Sequence, residues 1–539
     1  MRIAIAQINS TVGDIENNAR KMLEWAGKAK DAGADVVVFP EMALTGYPPE
    51  DLLLKPDFVK DNLDQIKHLA ANIDGITAVA GFADKSPAGI HNAAAVISGK
   101  KILGVYRKMY LPNYGVFDEK RYFAPGSKTL AFSIGKIKAG INICEDIWQD
   151  NPASRPLRKT VLSGAKLVFV INASPYHAGK VKEREKLIQA QAKRNKVYIV
   201  YVNMVGGQDE LVFDGYSMAA DPSGRIIARA EGFKEDLLVI DIPFGKDKQG
   251  AAKNRIAPVL APVEEVYNAL KLGLKDYIHK NGFKKAVIGL SGGIDSALVA
   301  ALAADAIGRE NVYGVFMPSR YTSGESKEDA FDLAKNLGIK LLTIPIEDIF
   351  GNYLRTLEPV FKNMQSDITE ENLQARIRGN LMMALSNKFG WLVLTTGNKS
   401  EMSTGYATLY GDMAGGFAVI KDVPKTLVYE LSGYRNSKDS AIPARIIKKE
   451  PTAELRHGQK DSDSLPPYPE LDPILKLYVE EDKNLKDIAA KGFPAETVSK
   501  VFLLVDKSEY KRRQSPPGIK ITPRAFGRDR RMPITNKYK

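Results

Sequence analysis

The chain has 539 residues, 44% of them hydrophobic, and a formal net charge of +13. This length predicts two or three domains at roughly 100–200 residues each. No run of about 20 apolar residues occurs, and the N-terminus alternates like a strand rather than a signal peptide, so we expect a cytoplasmic protein without a membrane partner. The basic residues are spread along the chain without a nucleic-acid-binding motif, which favours phosphorylated small molecules over nucleic acid as partners.

Short apolar segments alternate with helix-period segments over the first 242 residues. The predicted strands are 2–8, 36–39, 76–82, 93–97, 137–143, 167–171 and 197–202, and the predicted helices include 16–32 and 181–194. Many strands with few helices predict a layered α/β domain whose sheets are covered by helices. Beyond a strand at 237–241 the chain becomes polar and Gly-containing, so we predict a domain at 1–242 and a linker at 243–260.

Three chemically useful side chains follow strand-like segments of this domain. Glu41 follows the strand 36–39, and Lys108 follows a further apolar segment. Cys144, the single cysteine of the chain, lies where the strand 137–143 ends. A chain with one cysteine cannot form an internal disulfide or a zinc site with several thiolates. A thiolate can attack an amide carbonyl while a carboxylate relays the proton and an ammonium offsets the oxyanion charge. A cysteine alone is more often a small buried hydrophobe, so the hypothesis depends on the trio.

The segments 39–48, 106–112 and 140–148 resemble the nitrilase superfamily, in which a glutamate, a lysine and a cysteine each lie at the end of a strand. The resemblance covers about residues 1–242. It implies an αββα sandwich that hydrolyses an amide.

The same resemblance implies a role for each residue of the trio. Cys144 is the nucleophile, Glu41 the general base and acid, and Lys108 the cation that stabilises the oxyanion and favours the thiolate. Glu119 is a further carboxylate that positions them. By resemblance to glutamine-hydrolysing members, the residues that bind glutamine are Tyr114, Ser174 and Lys180.

The second half of the chain begins a regular alternation of helices and strands. The predicted helices are 263–280, 296–307 and 327–337, and the predicted strands are 286–290, 312–317 and 341–344. This rhythm predicts a domain at 261–539 with a doubly wound parallel sheet, in which ligands bind at the carboxyl ends of the strands. Later in the chain we predict a mobile loop at 455–469, helices at 473–479 and 495–505, and a Pro- and Arg-rich tail after Gln514.

The segment Ser291-Gly-Gly-Ile-Asp-Ser296 links a predicted strand directly to a predicted helix. Gly292 and Gly293 allow positive φ and close backbone approach, so N–H groups can converge on an anion at the N-terminus of the helix. The segment lacks the lysine of a Gly-x-x-x-x-Gly-Lys-Ser/Thr loop and the Gly-x-Gly-x-x-Gly dinucleotide pattern. It therefore predicts phosphate binding of another kind.

This hexapeptide resembles the pyrophosphate loop of the ATP pyrophosphatases, which adenylate a substrate and release pyrophosphate. A nitrilase-like domain joined to such a loop resembles the glutamine-dependent NAD synthetases. That resemblance implies ATP, deamido-NAD and glutamine as substrates, Mg²⁺ as cofactor, and a homo-oligomer. It also implies that the nicotinate carboxylate attacks the α-phosphate of ATP, that ammonia displaces AMP, and that a tunnel carries the ammonia between the domains.

The resemblance assigns binding residues in the second domain. The implied ATP contacts are Gly289, Leu290, Ser291, Gly292, Gly293, Ile294, Asp295, Ser296, Thr396, Lys425 and Thr452. The implied deamido-NAD contacts are Asn372, Glu401 and Lys511. Asp295 and Glu401 are the implied magnesium ligands, since magnesium is usually bound by one or two carboxylates plus substrate phosphates. Asp295 is also a candidate N-cap of the helix that follows the loop.

Three other hypotheses stay open from the sequence. One is another adenylating amidotransferase, with a nucleobase or tRNA as acceptor. Another is a nucleic-acid-binding protein on a degenerate nitrilase scaffold, against which the intact Glu41, Lys108 and Cys144 argue. The last is a stand-alone amidase with an inert second domain, against which the intact 291–296 loop argues.

Overall fold

The computed structural model describes residues 1–149, 155–244 and 254–538. The chain divides into two compact units, Met1–Leu260 and Ala261–Lys539. Part of the predicted linker, residues 245–253, lies outside the described residues. Beyond these residues, Ile256 forms an isolated parallel bridge with Arg229 of the first unit.

The described part of the first unit contains two large sheets and four α-helices. The strands are β1 (Arg2–Gln7), β2 (Val36–Val38), β3 (Thr77–Ser86), β4 (Gly89–Ser98), β5 (Lys101–Arg107), β6 (Ala131–Ile134), β7 (Ile137–Ile143), β8 (Leu167–Asn172), β9 (Tyr198–Asn203), β10 (Val205–Gln208), β11 (Leu211–Asp214), β12 (Met218–Ala220), β13 (Ile226–Arg229) and β14 (Asp236–Asp241). The helices are α1 (Ile15–Asp31), α2 (Pro56–Asn72), α3 (Pro156–Leu162) and α4 (Lys180–Asn195). One sheet has the order β14-β1-β2-β3-β4-β5, the other has the order β13-β12-β9-β8-β7-β6, and β10 and β11 form a separate hairpin.

Alternating side chains of β1 explain why the sheets are layered. Ile3 and Ile5 pack into a core shared with Ile141 and Phe169 of the second sheet. Ala4 and Ala6 point the other way, into the core beneath α1 and α2. Because successive residues of a strand face opposite sides, one strand supplies both layers. The predicted αββα sandwich is confirmed.

The second unit surrounds one parallel sheet with helices. Its strands are β15 (Ala286–Gly289), β16 (Val312–Phe316), β17 (Lys340–Thr343), β18 (Leu392–Thr395) and β19 (Phe417–Ala418). Its α-helices are α5 (Pro262–Lys280), α6 (Ile294–Ile307), α7 (Gly324–Leu337), α8 (Glu347–Leu357), α9 (Ile368–Phe389), α10 (Lys399–Thr404), α11 (Lys425–Asn436), α12 (Ala444–Lys448), α13 (Tyr468–Leu475), α14 (Leu485–Ala489), α15 (Ala495–Lys507) and α16 (Glu509–Arg512).

The strand order β17-β16-β15-β18-β19 confirms the predicted doubly wound parallel sheet. The chain first builds outward from β15 to β17 and then returns to β18 on the other side of β15. Such a reversal leaves a crevice at the carboxyl end of the central strand, where ligands bind in open α/β sheets. The 291–296 loop follows β15 directly, so it lies at that crevice.

Several element boundaries differ from the predictions for identifiable reasons. Helix α6 begins at Ile294, and its N-cap is Gly293; Asp295 therefore lies in the first turn, and its prediction as the N-cap is wrong. The segment 455–469 contains one short 3₁₀ helix, Asp461–Asp463. Its last two residues already belong to α13. Gln459 in this segment hydrogen-bonds Glu371 of α9.

The Pro- and Arg-rich tail folds onto the second unit. Gly518 bridges Ala418 at the edge of the sheet, and Ile519 and Ile521 are buried. Lys399 of α10 donates from Nζ to Thr522 Oγ1 at 2.7 Å. None of the helices in the described chain has the length and apolar character needed to cross a membrane.

Candidate functional sites

The first site is a buried cation between two carboxylates. Lys108 Nζ lies 2.7 Å from Glu41 Oε1 and 2.9 Å from Glu119 Oε1, and all three side chains are almost fully buried. Tyr47 adds a hydroxyl donor to Glu119 Oε1 at 2.9 Å. The structure thus brings the predicted base, cation and additional carboxylate into one hydrogen-bonded group.

Glu41 is fixed from three sides. Asn92 Nδ2 donates to Glu41 Oε1 at 2.7 Å, and the backbone N–H of Ala173 donates to Oε2 at 2.8 Å. Beneath the segment, Gly81 of β3 packs so closely that an added Cβ would lie 2.3 Å from the carbonyl oxygen of Pro40. The glutamate therefore has a single position, set by its neighbours in the sheet.

Cys144 stands at a sharp bend directly after β7. Its φ is 42°, a conformation that costs free energy for any residue other than glycine, and it begins the 3₁₀ turn Cys144–Ile147. Such a bend lifts the thiol off the end of the strand. The Cys144 thiol also interacts electrostatically with Glu41, Lys108 and Glu119, which places it beside the buried cation.

Asp146 connects the Cys144 turn to the strand that leads to Lys108. Its Oδ2 accepts from the Tyr106 hydroxyl at 2.7 Å and from the Ile143 N–H at 3.0 Å. Its Oδ1 accepts from the backbone N–H groups of Met109 and Tyr110, at 3.1 and 3.0 Å. The Asp146 carboxylate thus fixes the Cys144 turn relative to the segment that carries Lys108. Sequence reasoning missed this role, although Asp146 belongs to the same motif.

Burial governs the pKa values of this site. Burial, followed by the charge of Glu41, raises the pKa of the Cys144 thiol well above its ordinary value, and the opposing effect of Lys108 is smaller. Lys108 thus favours the thiolate, as predicted, but its effect on the pKa is smaller than those of burial and Glu41. Burial also raises the pKa of Glu119 to about 7. Burial alone would lower the pKa of Lys108, yet the charges of Glu119 and Glu41 together raise it.

The three predicted glutamine contacts border this group. Tyr114, 58% exposed, donates from its hydroxyl to Glu145 Oε2 at 2.9 Å, one residue beyond Cys144. Ser174 is buried and directly follows Ala173, the donor to Glu41. Lys180 starts α4, and its ammonium lies 4.6 Å from the centre of the Trp148 ring, which follows the Cys144 turn. Tyr114 and Lys180 thus contact residues that follow Cys144, and Ser174 adjoins the donor to Glu41.

The second site is a cavity of about 410 Å³ in the C-terminal unit. Of the predicted binding residues of this unit, those that line it are Gly289, Leu290, Ser291, Gly293, Ile294, Asp295, Ser296, Thr396, Lys425, Thr452, Asn372, Glu401 and Lys511. Gly292 is the exception among the predicted residues. Its φ is 78°, and an added Cβ would lie 2.5 Å from the carbonyl oxygen of Ser326, so it shapes the loop rather than lining the cavity.

Two carboxylates converge on one ammonium inside the cavity. Asp295 pairs with Lys425 Nζ, and Glu401 Oε1 lies 3.9 Å from the same atom. Asn398 joins the two acids, since its Nδ2 donates to Asp295 at 2.9 Å and its Oδ1 accepts from the N–H of Glu401 at 3.0 Å. Burial and the neighbouring Asp295 raise the pKa of Glu401 well above its ordinary value.

This acidic pair fits a magnesium ion that also binds substrate phosphates, because two protein carboxylates are the usual complement for such an ion. A dedicated protein cage would need more ligands. Within residues 1–149, 155–244 and 254–538, no group of three or more His, Cys, Asp or Glu side chains is arranged to hold a metal.

Asn372, Lys511 and Thr452 are hydrogen-bonded to other residues of the cavity wall. Asn372 Oδ1 accepts from Thr408 Oγ1 at 2.8 Å, and the Thr408 N–H donates to Asp412 at 2.7 Å. Lys511 Nζ donates to the carbonyl oxygens of Gly405 and Ala407, and burial lowers its pKa. Thr452 Oγ1 donates to the Gln459 carbonyl at 2.6 Å. Thr396 follows β18 at the carboxyl edge of the sheet.

Sequence reasoning missed several charged residues of the cavity. Arg378 and Lys449 line it, as do Glu454 and Asp461. Their positions along the sequence give little signal, because Lys449, Glu454 and Asp461 come from irregular chain that tertiary contacts bring back over the sheet. Arg378 lies in α9, six residues after the predicted contact Asn372.

Comparisons with known proteins cover both units. The NAD synthase family model matches residues 266–515, and the carbon-nitrogen hydrolase family model matches residues 2–249. A protein of Thermotoga maritima named glutamine-dependent NAD(+) synthetase is 51% identical, with 100% of this chain and 99% of that protein covered. A protein of the same name from Aquifex aeolicus is 47% identical over the full length of both chains.

A solved structure gives the same correspondence in three dimensions. It is the glutamine-dependent NAD+ synthetase of Acinetobacter baumannii in complex with ADP, at a TM-score of 0.80 and 46% identity. The match covers 99% of this chain and 98% of that chain.

Proposed function

Because the chain belongs to the glutamine-dependent NAD(+) synthetases, we propose that it amidates deamido-NAD to NAD with ammonia that its first unit takes from glutamine. ATP drives the reaction, and AMP, pyrophosphate and glutamate are the other products. The substrates are therefore small molecules. A homo-oligomeric state and a cytoplasmic location stay predictions.

In the first unit we propose that Cys144 attacks the side-chain amide of glutamine. Burial favours the protonated form of this thiol, so Glu41 takes its proton as the sulfur attacks and passes it to the departing ammonia. Lys108 stays charged between Glu41 and Glu119, and its ammonium offsets the charge of the tetrahedral oxyanion. Water then releases glutamate from the sulfur, with Glu41 as base.

Tyr114, Ser174 and Lys180 are proposed to hold the glutamine during these steps. The contacts of Tyr114 with Glu145 and of Lys180 with Trp148, and the position of Ser174 next to Ala173, support this assignment. A charged lysine is chemically suited to the α-carboxylate of the substrate. Glu119 is proposed to position Lys108 rather than to touch the substrate.

In the second unit we propose that the nicotinate carboxylate of deamido-NAD attacks the α-phosphorus of ATP. The N–H groups of the 291–296 loop and the start of α6 receive the departing pyrophosphate. Asn372, Lys511 and Glu401 contact deamido-NAD, and Thr396, Lys425 and Thr452 contact ATP. Ammonia then attacks the acyl-adenylate and displaces AMP.

Asp295 and Glu401 are the proposed ligands of Mg²⁺, and their convergence in the cavity supports this assignment. A bound magnesium ion supplies positive charge that offsets the negative charge of the phosphates. Lys425 lies against both acids, so its ammonium can move from Asp295 to a phosphate oxygen when the nucleotide binds.

The observation that carries this proposal is the buried Lys108 between Glu41 and Glu119 beside the single cysteine, in a chain whose other unit has the 291–296 loop lining a cavity. The test compares wild type, Cys144→Ala and Asp295→Asn with glutamine or ammonium as nitrogen donor, measuring NAD, AMP and glutamate.

We expect wild type to form NAD from both donors and Cys144→Ala to form it from ammonium alone. Asp295→Asn is the reciprocal variant: it should lose NAD formation with both donors yet still hydrolyse glutamine. NAD formation from glutamine by Cys144→Ala would contradict the nucleophile assignment. Glutamine hydrolysis without NAD formation in wild type would contradict deamido-NAD as the acceptor.

A further inference from the structure

Two groups of interacting charged side chains stand among those that line the C-terminal cavity. Asp295, Glu401 and Asp461 surround Lys425, and each of these acids acts electrostatically on its neighbours. Arg378 forms the second group with Lys449 and Glu454, and Glu454 is the charge that acts on Arg378. The first group has an excess of negative charge and contains the two proposed magnesium ligands, Asp295 and Glu401. The second has an excess of positive charge and suits an anion.

Most N–H donors of the Arg378 guanidinium have no acceptor among the described residues. Its Nε donates to the Met317 carbonyl at 3.1 Å, and within the described residues its two terminal nitrogens have no hydrogen-bond acceptor. Lys449 differs, since its ammonium already contacts Ser326 Oγ and Glu454 Oε1. A guanidinium offers five N–H donors in a planar fork, so four of them are available to a ligand.

The surroundings keep this guanidinium out of bulk water. Burial lowers the pKa of Arg378 to about 10, and the carboxylate of Glu454 only partly opposes this effect. Glu454 itself is engaged by Ser323, Ser326 and Lys449. A partly desolvated cation without a close counter-charge is costly unless a ligand supplies the anion.

The backbone partner of Arg378 lies near the start of the 291–296 loop. Met317, its backbone partner, directly follows β16, and β16 pairs with β15 where Gly289 lies opposite Val315. The next residue, Leu290, donates to the Val315 carbonyl at 2.9 Å and leads into the 291–296 loop. Asn372, the proposed deamido-NAD contact, lies six residues earlier on α9, about 9 Å away along the helix axis at about 1.5 Å per residue.

We propose that Arg378 binds phosphate oxygens of ATP through its two terminal nitrogens and so positions the nucleotide beside the 291–296 loop. The Met317 carbonyl fixes the plane of the guanidinium, and a fixed planar fork matches two oxygens of one phosphate. The assignment rests on the proposed function of this unit, since it takes ATP as the nucleotide bound there.

The test uses Arg378→Gln and Arg378→Lys in the full-length chain. Lys388→Gln is the matched control, because Lys388 is an exposed residue of the same helix and its loss changes the net charge by the same amount. Calorimetric titration with ATP alone and with deamido-NAD alone gives the two affinities without turnover. Ammonium-dependent NAD synthesis and glutamine hydrolysis give the activities.

We expect Arg378→Gln to weaken ATP binding about 10- to 150-fold, the effect of losing a charged hydrogen bond. Arg378→Lys should fall between this variant and wild type, because lysine keeps the charge but not the fork. Deamido-NAD binding and glutamine hydrolysis should stay within about twofold of wild type, and Lys388→Gln should match wild type throughout.

Two results would overturn the proposal. One is unchanged ATP affinity in both Arg378 variants. The other is weakened binding of deamido-NAD alone, which would assign the guanidinium to the acceptor. Thermal unfolding of each variant separates these results from loss of folding, and the lysine variant keeps the test valid if the glutamine variant does not fold. Failure of wild type to make NAD would contradict the proposed function, whereas the ATP titrations would still test Arg378.

Discussion

Gly81→Ala tests whether the fixed position of Glu41 controls glutamine hydrolysis. An added Cβ would lie 2.3 Å from the Pro40 carbonyl oxygen, 2.5 Å from the Met42 nitrogen and 2.8 Å from the Glu41 carbonyl carbon. Ordinary contact begins at 3.4 Å, so the segment must retreat by 3.4 − 2.3 = 1.1 Å along the closest contact. These three contacts are backbone atoms, which cannot rotate away as a side chain can.

A displacement of about 1 Å at a catalytic group can lower activity by about 100-fold. We therefore expect Gly81→Ala to lose about 100-fold in glutamine-dependent NAD formation and to keep ammonium-dependent formation within about twofold. The control is Gly104→Ala in β5 of the same sheet, where the nearest obstacle is a methyl group of Leu130 at 2.8 Å, which can move. Equal glutamine-dependent activity in the two folded variants would refute the reasoning.

Two further predictions concern buried charges. The folded pKa of Glu119, about 7, lies above the ordinary 4.5, so this group contributes stability that is full below pH 4.5 and lost as the pH rises through 7. Glu119→Gln should flatten the fall of thermal stability across that window, and equal slopes in both proteins would contradict this. Lys399→Met leaves Asp422 and Glu480 without their ammonium and should destabilise the second unit by about 3–5 kcal/mol. Limited proteolysis should then cut that unit earlier while glutamine hydrolysis persists; unchanged proteolysis would count against it.

The elements predicted well from the sequence are those whose signal is local. The eight strands predicted in the first domain all fall on observed strands, since each is a short apolar run between polar segments. The loop after β15 was equally clear, because its glycines and serines stand between a β-branched strand and an alanine-rich helix. The same local signals placed Glu41 and Cys144 at strand ends.

The features that sequence reasoning missed depend on long-range contacts. Asp146 acquires its role through partners 36 to 40 residues away, which no local pattern reveals. Helix α13 begins at Tyr468, within the Pro-rich segment predicted as a loop, and therefore starts before the predicted helix 473–479. The raised pKa of the Cys144 thiol depends on how deeply the fold buries it beside Glu41, and this combined effect exceeds the predicted opposing effect of Lys108.

The fold of the second unit also bears on how it forms during translation. Lys399 reaches its buried partner Thr522 across 123 residues of chain. At roughly 5–20 residues per second, the ribosome needs about 6 to 25 s to make that stretch. Throughout this interval the Lys399 ammonium of α10 lacks its Thr522 acceptor, although Asp422 and Glu480 are made before it. A nascent chain stalled before residue 522 should therefore expose a synthetase unit that proteases and chaperones recognise as unfinished, although its glutamine-hydrolysing unit has already folded.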